Sequence, residues 1–245
     1  GGLCMALNCG NSNRFPATAG NPWCGMIRQF DDLLSQEQLR QMAAWLEKTA
    51  FVDGAATAGA TARRVKNNLQ AQNAQPGLEQ ARALFGEAVL QNAEFRDFAL
   101  PLRAVPPLFS RYETGMRYGD HTDNALMGNV RTDLALTLFL SAPESYDGGE
   151  LVIETDREPR VVKLNAGSAI LYPATSIHRV EPVTRGRRDV AVTWIQSMVR
   201  DVSQREIITD LGIALAHARR SAPDARETLL IAKSRANLLR MWSDT

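Results

Sequence analysis

Cysteine is scarce in this chain of 245 residues, and its distribution is uneven. Cys4, Cys9 and Cys24 are the only cysteines, so no disulfide connects parts of the sequence beyond position 24. Their spacing matches no zinc-binding pattern, and an odd number of thiols leaves any disulfide framework incomplete. We interpret residues 1–25 as a disordered tail or an upstream segment. Residues 26–245 are then a single domain, which is long enough for a substantial core.

Long apolar runs and an excess of one charge sign are also absent. No apolar run reaches the roughly 20 residues that span a bilayer, and the N-terminus lacks the basic, apolar and small-residue order of a signal peptide. Lys and Arg total 28 against 27 for Asp and Glu, and hydrophobic residues make up 44% of the chain. The sequence therefore predicts a cytoplasmic globular protein, and it disfavours binding to nucleic acid or to an anionic membrane.

Helical patterns lie at both ends of the predicted domain. Ser35 and Gln38 form a capping box, and the apolar spacing that follows predicts a helix over residues 36–49. A second pattern of the same period makes us expect a mainly helical segment over residues 26–100. The helical period returns near the C-terminus and predicts further helices within residues 201–245.

Between these helical segments the hydrophobic period changes to two. Leucines occupy every second position from 134 to 140, which is the pattern of a strand with two distinct faces. Short aliphatic or β-branched segments follow at residues 150–154, 160–164, 168–172, 177–180 and 189–196. Turn signals such as Asp147–Gly149, which predicts a hairpin turn, and Arg185–Gly186 separate them. Because no helix-length pattern intervenes, we expect an antiparallel sandwich or barrel over residues 101–200.

Histidine is as rare as cysteine, but its placement is informative. Three histidines occur, and two of them lie in the predicted β region. An extended chain points His121 and Asp123 to one face, and His178 joins them if its strand folds back beside theirs. Two imidazoles and one carboxylate form the facial triad of non-haem Fe(II) oxygenases. The alternative is that His121 and Asp123 are a surface turn pair and that His178 is a hydrogen-bonded histidine at a strand end.

Arg188 favours the metal-site interpretation. It lies ten residues after His178, on the next predicted strand. An inward-facing arginine inside a narrow barrel costs free energy unless it meets a carboxylate. A dicarboxylate co-substrate such as 2-oxoglutarate supplies one, because chelation of iron by its keto oxygen and C1 carboxylate leaves its C5 carboxylate to pair with Arg188.

Several further motifs occur in order around these residues. They are Arg111–Asp123, Arg131–Leu140, Tyr146–Leu151, Leu171–Pro173, Pro182–Gly186 and Trp194–Asp201, with Thr57–Gly59 and Val65–Asn68 nearer the N-terminus. Together they resemble the bacterial PKHD-type hydroxylases, which are Fe(II)- and 2-oxoglutarate-dependent dioxygenases related to prolyl 4-hydroxylases. The resemblance spans residues 26–245, and several motifs in register are more specific than any single one.

The resemblance implies a fold, a reaction and a site. The fold is α+β with a mainly β core, a double-stranded β-helix (jelly roll) flanked by N- and C-terminal helices. The reaction uses O2 to hydroxylate an unactivated C–H bond while 2-oxoglutarate is converted to succinate and CO2, and L-ascorbate is a further family expectation. His121, Asp123 and His178 would be the iron ligands, Arg188 would anchor 2-oxoglutarate, and Tyr112 would hydrogen-bond it or else pack as a core aromatic residue.

No motif specifies the substrate, and two other functions stay open. Kinship with prolyl hydroxylases implies a peptide or small-molecule substrate. The chain departs from the usual pattern at Asn124–Val130 and Thr155–Arg160, both expected near the substrate mouth. The basic residues Arg63, Arg64 and Lys66 are interpreted as a solvated loop. The alternatives are a non-catalytic metal or 2-oxoglutarate sensor and a cupin-like metal enzyme without a keto acid.

The predicted terminal helices carry enough apolar surface to pack on the barrel or on a second copy of the chain. A homo-oligomer therefore stays open as well. His217, in a C-terminal helix, is interpreted as a solvent-facing residue.

Overall fold

The computed structural model describes residues 27–57, 62–73 and 75–244. Both the predicted tail, residues 1–25, and Gly59 of the N-terminal motif lie outside these residues. Among the helices that are described, none combines the length and the apolarity needed to cross a bilayer.

Helices lie at both ends of the described chain and strands occur along most of it. The α-helices are α1 (Gln36–Glu47), α2 (Pro76–Phe85), α3 (Ala93–Ala99), α4 (Val202–Ser221) and α5 (Arg226–Trp242). The strands of the first half are β1 (Arg28–Phe30), β2 (Phe51–Asp53), β3 (Lys66–Asn67), β4 (Leu69–Ala71), β5 (Pro101–Ala104), β6 (Leu108–Glu113), β7 (Arg117–His121) and β8 (Leu126–Met127). The strands of the second half are β9 (Val130–Arg131), β10 (Leu134–Phe139), β11 (Tyr146–Gly148), β12 (Leu151–Ile153), β13 (Arg160–Val162), β14 (Ala169–Pro173), β15 (His178–Val180) and β16 (Val183–Ser197).

Two antiparallel sheets form the core, as the alternating pattern predicted. The major sheet has the strand order β1-β14-β10-β16-β6-β4-β2, with β5 and β11 also paired to β16. The minor sheet has the order β13-β12-β15-β7-β3, and β8 pairs with β9 in a separate small ribbon. Side chains of both sheets share one apolar cluster, so the sheets pack face to face as in a jelly roll.

The packing of strand β10 accounts for the leucines at every second position from 134 to 138. Leu134, Leu136 and Leu138 pack with residues of α1, α2 and α3 on the outer face of the major sheet. Ala135 and Phe139 point to the opposite face, into the space between the sheets. Because helices cover one face and the minor sheet covers the other, the whole strand is buried.

The N-terminal part of the domain is less helical than the sequence predicted. Four of its segments, β1 to β4, are strands that join the two sheets: β1 pairs with β14, β3 with β7, and β4 with β6. These strands are only two or three residues long, too short for a hydrophobic period to identify. The chain passes from the minor sheet to the major sheet at Asn68, between β3 and β4.

Two of the turns predicted at glycines are not formed as expected. No turn forms at Arg185–Gly186, because both residues lie within β16. Arg185 pairs with Asp147 of β11, and Gly186 pairs with Tyr146 of the same strand. Asp147–Gly149 does not close a hairpin, since β11 pairs with β16 and β12 pairs with β15. Gly148 and Gly149, at φ +72° and +67°, instead carry the chain from one sheet to the other.

The remaining helical predictions agree better with the structure. The capping box is present, with Ser35 accepting from the Gln38 backbone at the start of α1. The two C-terminal helices are present, and α4 begins after Asp201, whose side chain accepts from the Gln204 backbone. Helix α3 had no clear signal in its seven residues.

Candidate iron and co-substrate site

Two neighbouring strands of the minor sheet bring the predicted histidines together. His178 on β15 is the direct cross-strand partner of His121 on β7. Asp123 follows β7, and one potential ligand atom from each of the three residues lies within 4.8 Å of the others. The sequence prediction that the later strand folds back beside the first is therefore confirmed. Among the described residues, no other group of three histidine, cysteine or acidic side chains is close enough together to hold one metal ion.

Backbone carbonyls and aromatic rings orient the two imidazoles. Nδ1 of His121 lies 2.8 Å from the Gly119 carbonyl, and Nδ1 of His178 lies 3.0 Å from the Ser176 carbonyl. Because a carbonyl oxygen only accepts, each Nδ1 carries a hydrogen, and each Nε2 is the ring nitrogen that can face a metal. The ring of Tyr118 stacks on His121 with the ring centroids 3.5 Å apart.

Electrostatics at this cluster suit a cation. Burial, together with the neighbouring His178, lowers the pKa of His121 to about 3, so this imidazole is neutral. Burial raises the pKa of Asp123 because no positive group fully compensates its charge. Oδ2 of Asp123 accepts no hydrogen bond and lies 3.9 Å from Nε2 of His178. Two imidazoles and one buried carboxylate form a donor set that fits a divalent transition metal.

Arg188 projects from the major sheet into the same space. It is 1% exposed although it carries a permanent charge, and its Nε has no hydrogen-bond partner among the described residues. Its guanidinium lies 5.1 Å from the ring centre of Tyr112, its cross-strand partner, and 5.3 Å from that of Phe139. A buried, incompletely paired guanidinium fits an anionic group that enters the pocket.

One pocket between the two sheets contains all five residues predicted for the site. It holds about 800 Å³ of empty space when its open mouth is counted, and His121, Asp123, His178, Tyr112 and Arg188 all line it. Apolar side chains from β6 and β16 form much of the remaining wall. Tyr112 is 4% exposed, so it is both buried and part of the pocket.

One part of the pocket wall, formed by the N-terminal strands, was not predicted from the sequence. Lys66 and Asn68 line the pocket, whereas the stretch containing Lys66 was interpreted as a solvated loop. Lys66 is half-buried, and its ammonium lies 5.3 Å from the ring centre of Tyr118. The signal that could have identified them was the motif Val65–Asn68. Arg63 and Arg64 are exposed, as expected.

The two segments that depart from the usual pattern differ in position. Asn124 and Met127, from the segment Asn124–Val130, line the pocket. No residue of Thr155–Arg160 lines the pocket. This segment connects β12 to β13 and begins two residues after Ile153, the cross-strand partner of His178, so its place near the substrate mouth stays a prediction. His217 lies exposed on α4, as interpreted from the sequence.

Comparison with known proteins agrees with this geometry. Residues 107–196 match the family model of the 2OG-Fe(II) oxygenase superfamily. A PKHD-type hydroxylase of Hyphomonas neptunium is 48% identical over 219 residues, which cover 87% of this chain and 98% of that protein. The chain belongs to the PKHD-type hydroxylases. A second PKHD-type hydroxylase, from Acaryochloris marina, is 46% identical over 219 residues. These residues cover 89% of this chain and 100% of the Acaryochloris protein.

Solved structures support the fold of this PKHD-type hydroxylase. A prolyl-4-hydroxylase of Pseudomonas putida superposes on this chain with a TM-score of 0.53 at 18% identity. The match covers 71% of this chain and 94% of the Pseudomonas chain. A prolyl hydroxylase of Trichoplax adhaerens superposes with a TM-score of 0.55 at 12% identity. That match covers 76% of this chain and 87% of the Trichoplax chain. The PKHD-type hydroxylase is therefore a 2-oxoglutarate-dependent dioxygenase that uses Fe(II), 2-oxoglutarate and O2.

Proposed function

We propose that this dioxygenase binds Fe(II) through His121, Asp123 and His178, and that Arg188 and Tyr112 bind 2-oxoglutarate. The observation that carries the proposal is the convergence of the three metal-ligating side chains within 4.8 Å at the wall of one pocket. Bound iron supplies the oxidising chemistry that hydroxylates an unactivated C–H bond. The residues of the chain supply the geometry, the co-substrate clamp and the exclusion of water.

The facial arrangement leaves room for the co-substrate. With both Nδ1 atoms donating to backbone carbonyls, His121 and His178 present their Nε2 lone pairs, and Asp123 adds one negative charge. These three residues would hold the metal and would leave coordination positions for 2-oxoglutarate and O2. The stack with Tyr118 restrains His121, which keeps the ligand geometry fixed before the metal binds.

The co-substrate clamp is the Arg188 guanidinium. It binds the C5 carboxylate of 2-oxoglutarate, and the Tyr112 hydroxyl donates a hydrogen bond to the same molecule. Leu108, Val190 and Val192 line the pocket beside these polar groups. An apolar wall at this place removes water from the reacting atoms and strengthens the ion pair with Arg188.

The test is an anaerobic titration of the apoenzyme with Fe(II) and 2-oxoglutarate. A weak visible metal-to-ligand charge-transfer band is expected only when both are present. In His178→Ala the band is expected to disappear, and in Arg188→Ala it is expected to require at least tenfold more 2-oxoglutarate.

Two variants of exposed residues are the matched controls. His217→Ala removes a histidine on α4, and Arg187→Ala removes the neighbour of Arg188 whose side chain is 42% exposed. Both are expected to give the wild-type band. Absence of a band in folded wild-type protein would refute the co-substrate assignment and favour the cupin-like metal enzyme. A band without any succinate formation would favour the sensor.

The remaining parts of the proposal are the substrate, the reductant and the compartment. We propose a peptide or small-molecule substrate, stimulation of turnover by L-ascorbate, and a cytoplasmic location. Ascorbate stimulation is expected to appear as a slower loss of succinate formation over repeated turnovers. Fractionation of cells that express the full chain tests the location, and recovery in a membrane or periplasmic fraction would contradict it.

A further inference from the structure

Lys66 gives the pocket a second cation besides Arg188. The lysine, arginine and acidic residues of the pocket lining are Lys66, Asp123 and Arg188, so the lining holds two cations and one carboxylate. Lys66 is also half-buried, and an ammonium that loses water costs free energy unless an anionic group comes near it. This excess of positive charge favours anionic molecules over neutral ones in the pocket.

The position of Lys66 separates it from the co-substrate clamp. Arg188 projects from the major sheet, whereas Lys66 lies on β3, the edge strand of the minor sheet next to β7. Lys66 is the cross-strand partner of Tyr118, and its ammonium lies 5.3 Å from the centre of the Tyr118 ring. The same ring stacks on His121. Because an aromatic ring attracts a cation, Tyr118 holds the ammonium on the iron-ligand side of the pocket.

Iron and 2-oxoglutarate bring no further anionic group to Lys66. Under the proposed function one carboxylate of 2-oxoglutarate chelates the metal and the other pairs with Arg188. Burial lowers the pKa of Lys66, and the charges of Asp123 and Asp53 oppose this. Asp123 is a proposed ligand of the metal, and Asp53 is exposed and does not line the pocket. Because bound Fe(II) repels a nearby ammonium, an anionic group beside Lys66 would offset that repulsion.

We propose that Lys66 binds an anionic group of the primary substrate, and that this substrate is an acid with an aliphatic part. The inference rests on the proposed function, since 2-oxoglutarate must occupy Arg188 for Lys66 to receive the substrate. A lysine ammonium binds an oxyanion as a point charge with three rotatable donors, which suits a single carboxylate. The aliphatic part contacts apolar side chains of the same pocket, which include Met127, Leu151 and Val180.

The test uses butanoate, hexanoate and octanoate as probes, each compared with its primary amide. The amide has nearly the same shape as the carboxylate but no charge. Mn(II) replaces Fe(II), 2-oxoglutarate is present at a saturating concentration so that it occupies Arg188, and NMR measures paramagnetic relaxation of the methyl protons of each probe. Wild-type protein is expected to relax at least one carboxylate at least fivefold more strongly than the matching amide.

Four variants make the result specific to Lys66. Lys66→Met and Lys66→Gln remove the charge, one with an apolar and one with a polar side chain, and both are expected to abolish the preference for the carboxylate. Lys66→Arg keeps the charge and is expected to retain a preference. Lys48→Met is the matched control, because Lys48 is an exposed lysine after α1, and it is expected to behave as wild type. A thermal melt of each variant confirms folding.

Several outcomes would overturn the proposal. Equal relaxation of carboxylates and amides, no relaxation of any probe, or a preference that survives in the folded neutral variants would each do so. A tenfold loss of 2-oxoglutarate affinity in Lys66→Met would assign Lys66 to the co-substrate instead. The charge-transfer band distinguishes this inference from the proposed function: a normal wild-type band without a carboxylate preference refutes only the role of Lys66, whereas a missing band refutes the proposed function.

Discussion

Gly149 packs directly against the side chain of Arg188. A Cβ atom at Gly149 would lie 3.0 Å from Cδ of Arg188 and 3.0 Å from Cγ2 of Val183. Gly149 also has a φ of +67°, a conformation that residues with a Cβ rarely adopt. The glycine that moves the chain between the two sheets therefore also shapes the space around the predicted co-substrate anchor.

Gly149→Ala is expected to weaken 2-oxoglutarate binding about tenfold, because the added methyl group displaces Arg188. Strain at the positive φ is expected to lower the unfolding free energy by about 1 kcal/mol as well. Calorimetric titration of the Mn(II)-loaded protein measures the affinity. Gly86→Ala is the control, because a Cβ at Gly86 meets nothing within 4 Å. Wild-type affinity in Gly149→Ala would contradict the prediction.

Arg188→Lys keeps the charge but removes the planar pair of donors. A lysine ammonium cannot reproduce a bidentate contact with a carboxylate. We therefore expect 2-oxoglutarate to bind roughly 10- to 100-fold more weakly, which corresponds to about 1.4–2.7 kcal/mol. The anaerobic charge-transfer titration measures this change. If Arg188→Lys binds as tightly as wild type, Arg188 acts only as a point charge.

Lys66 makes stability depend on pH in a defined window. Burial lowers the pKa of Lys66 to about 8, below the roughly 10.4 of an unfolded chain. Between these values the unfolded chain binds more protons, so the stability of wild type relative to Lys66→Met rises with pH. We expect a relative gain of about 1–2 kcal/mol from pH 7.5 to pH 10, less than the full shift because the pocket is open to solvent.

Urea unfolding of wild type and Lys66→Met at several pH values measures this difference. The exposed Lys48→Met variant controls for the loss of one lysine. A constant difference between wild type and Lys66→Met across this range would show that Lys66 is solvated, as the sequence interpretation had it.

Asp189 is expected to contribute to stability rather than to chemistry. It forms a two-pronged ion pair with Arg111 at 2.9 and 3.0 Å, and both side chains are about nine-tenths buried. Asp189→Ala leaves Arg111 without its main partner and is expected to cost about 2 kcal/mol. Asp147→Ala breaks an exposed pair with Arg185 and is expected to cost much less, because solvent screens that pair. Denaturant unfolding measures both, and equal losses would contradict the expectation.

The sequence was most informative where a period or a motif was long. The leucines at alternate positions identified β10, and the triad with Arg188 identified residues that the structure places in one pocket. Strands of two or three residues carry no usable period, so β1 to β4 were missed. Gly186 was interpreted as a turn because its pairing with Tyr146 depends on a segment forty residues away in sequence, which local signals do not report.

The crossing at Asn68 also has a consequence for how such an enzyme can change its specificity. The residues proposed to bind iron and 2-oxoglutarate lie on β6, β7, β15 and β16 or directly after β7, whereas Lys66 lies on β3 and Asn68 follows it, nearer the N-terminus. The proposed iron and co-substrate ligands and this part of the pocket wall are thus encoded in separate stretches of the chain. Substitutions within residues 66–70 are therefore expected to reshape one wall of the pocket while the proposed iron ligands keep their positions.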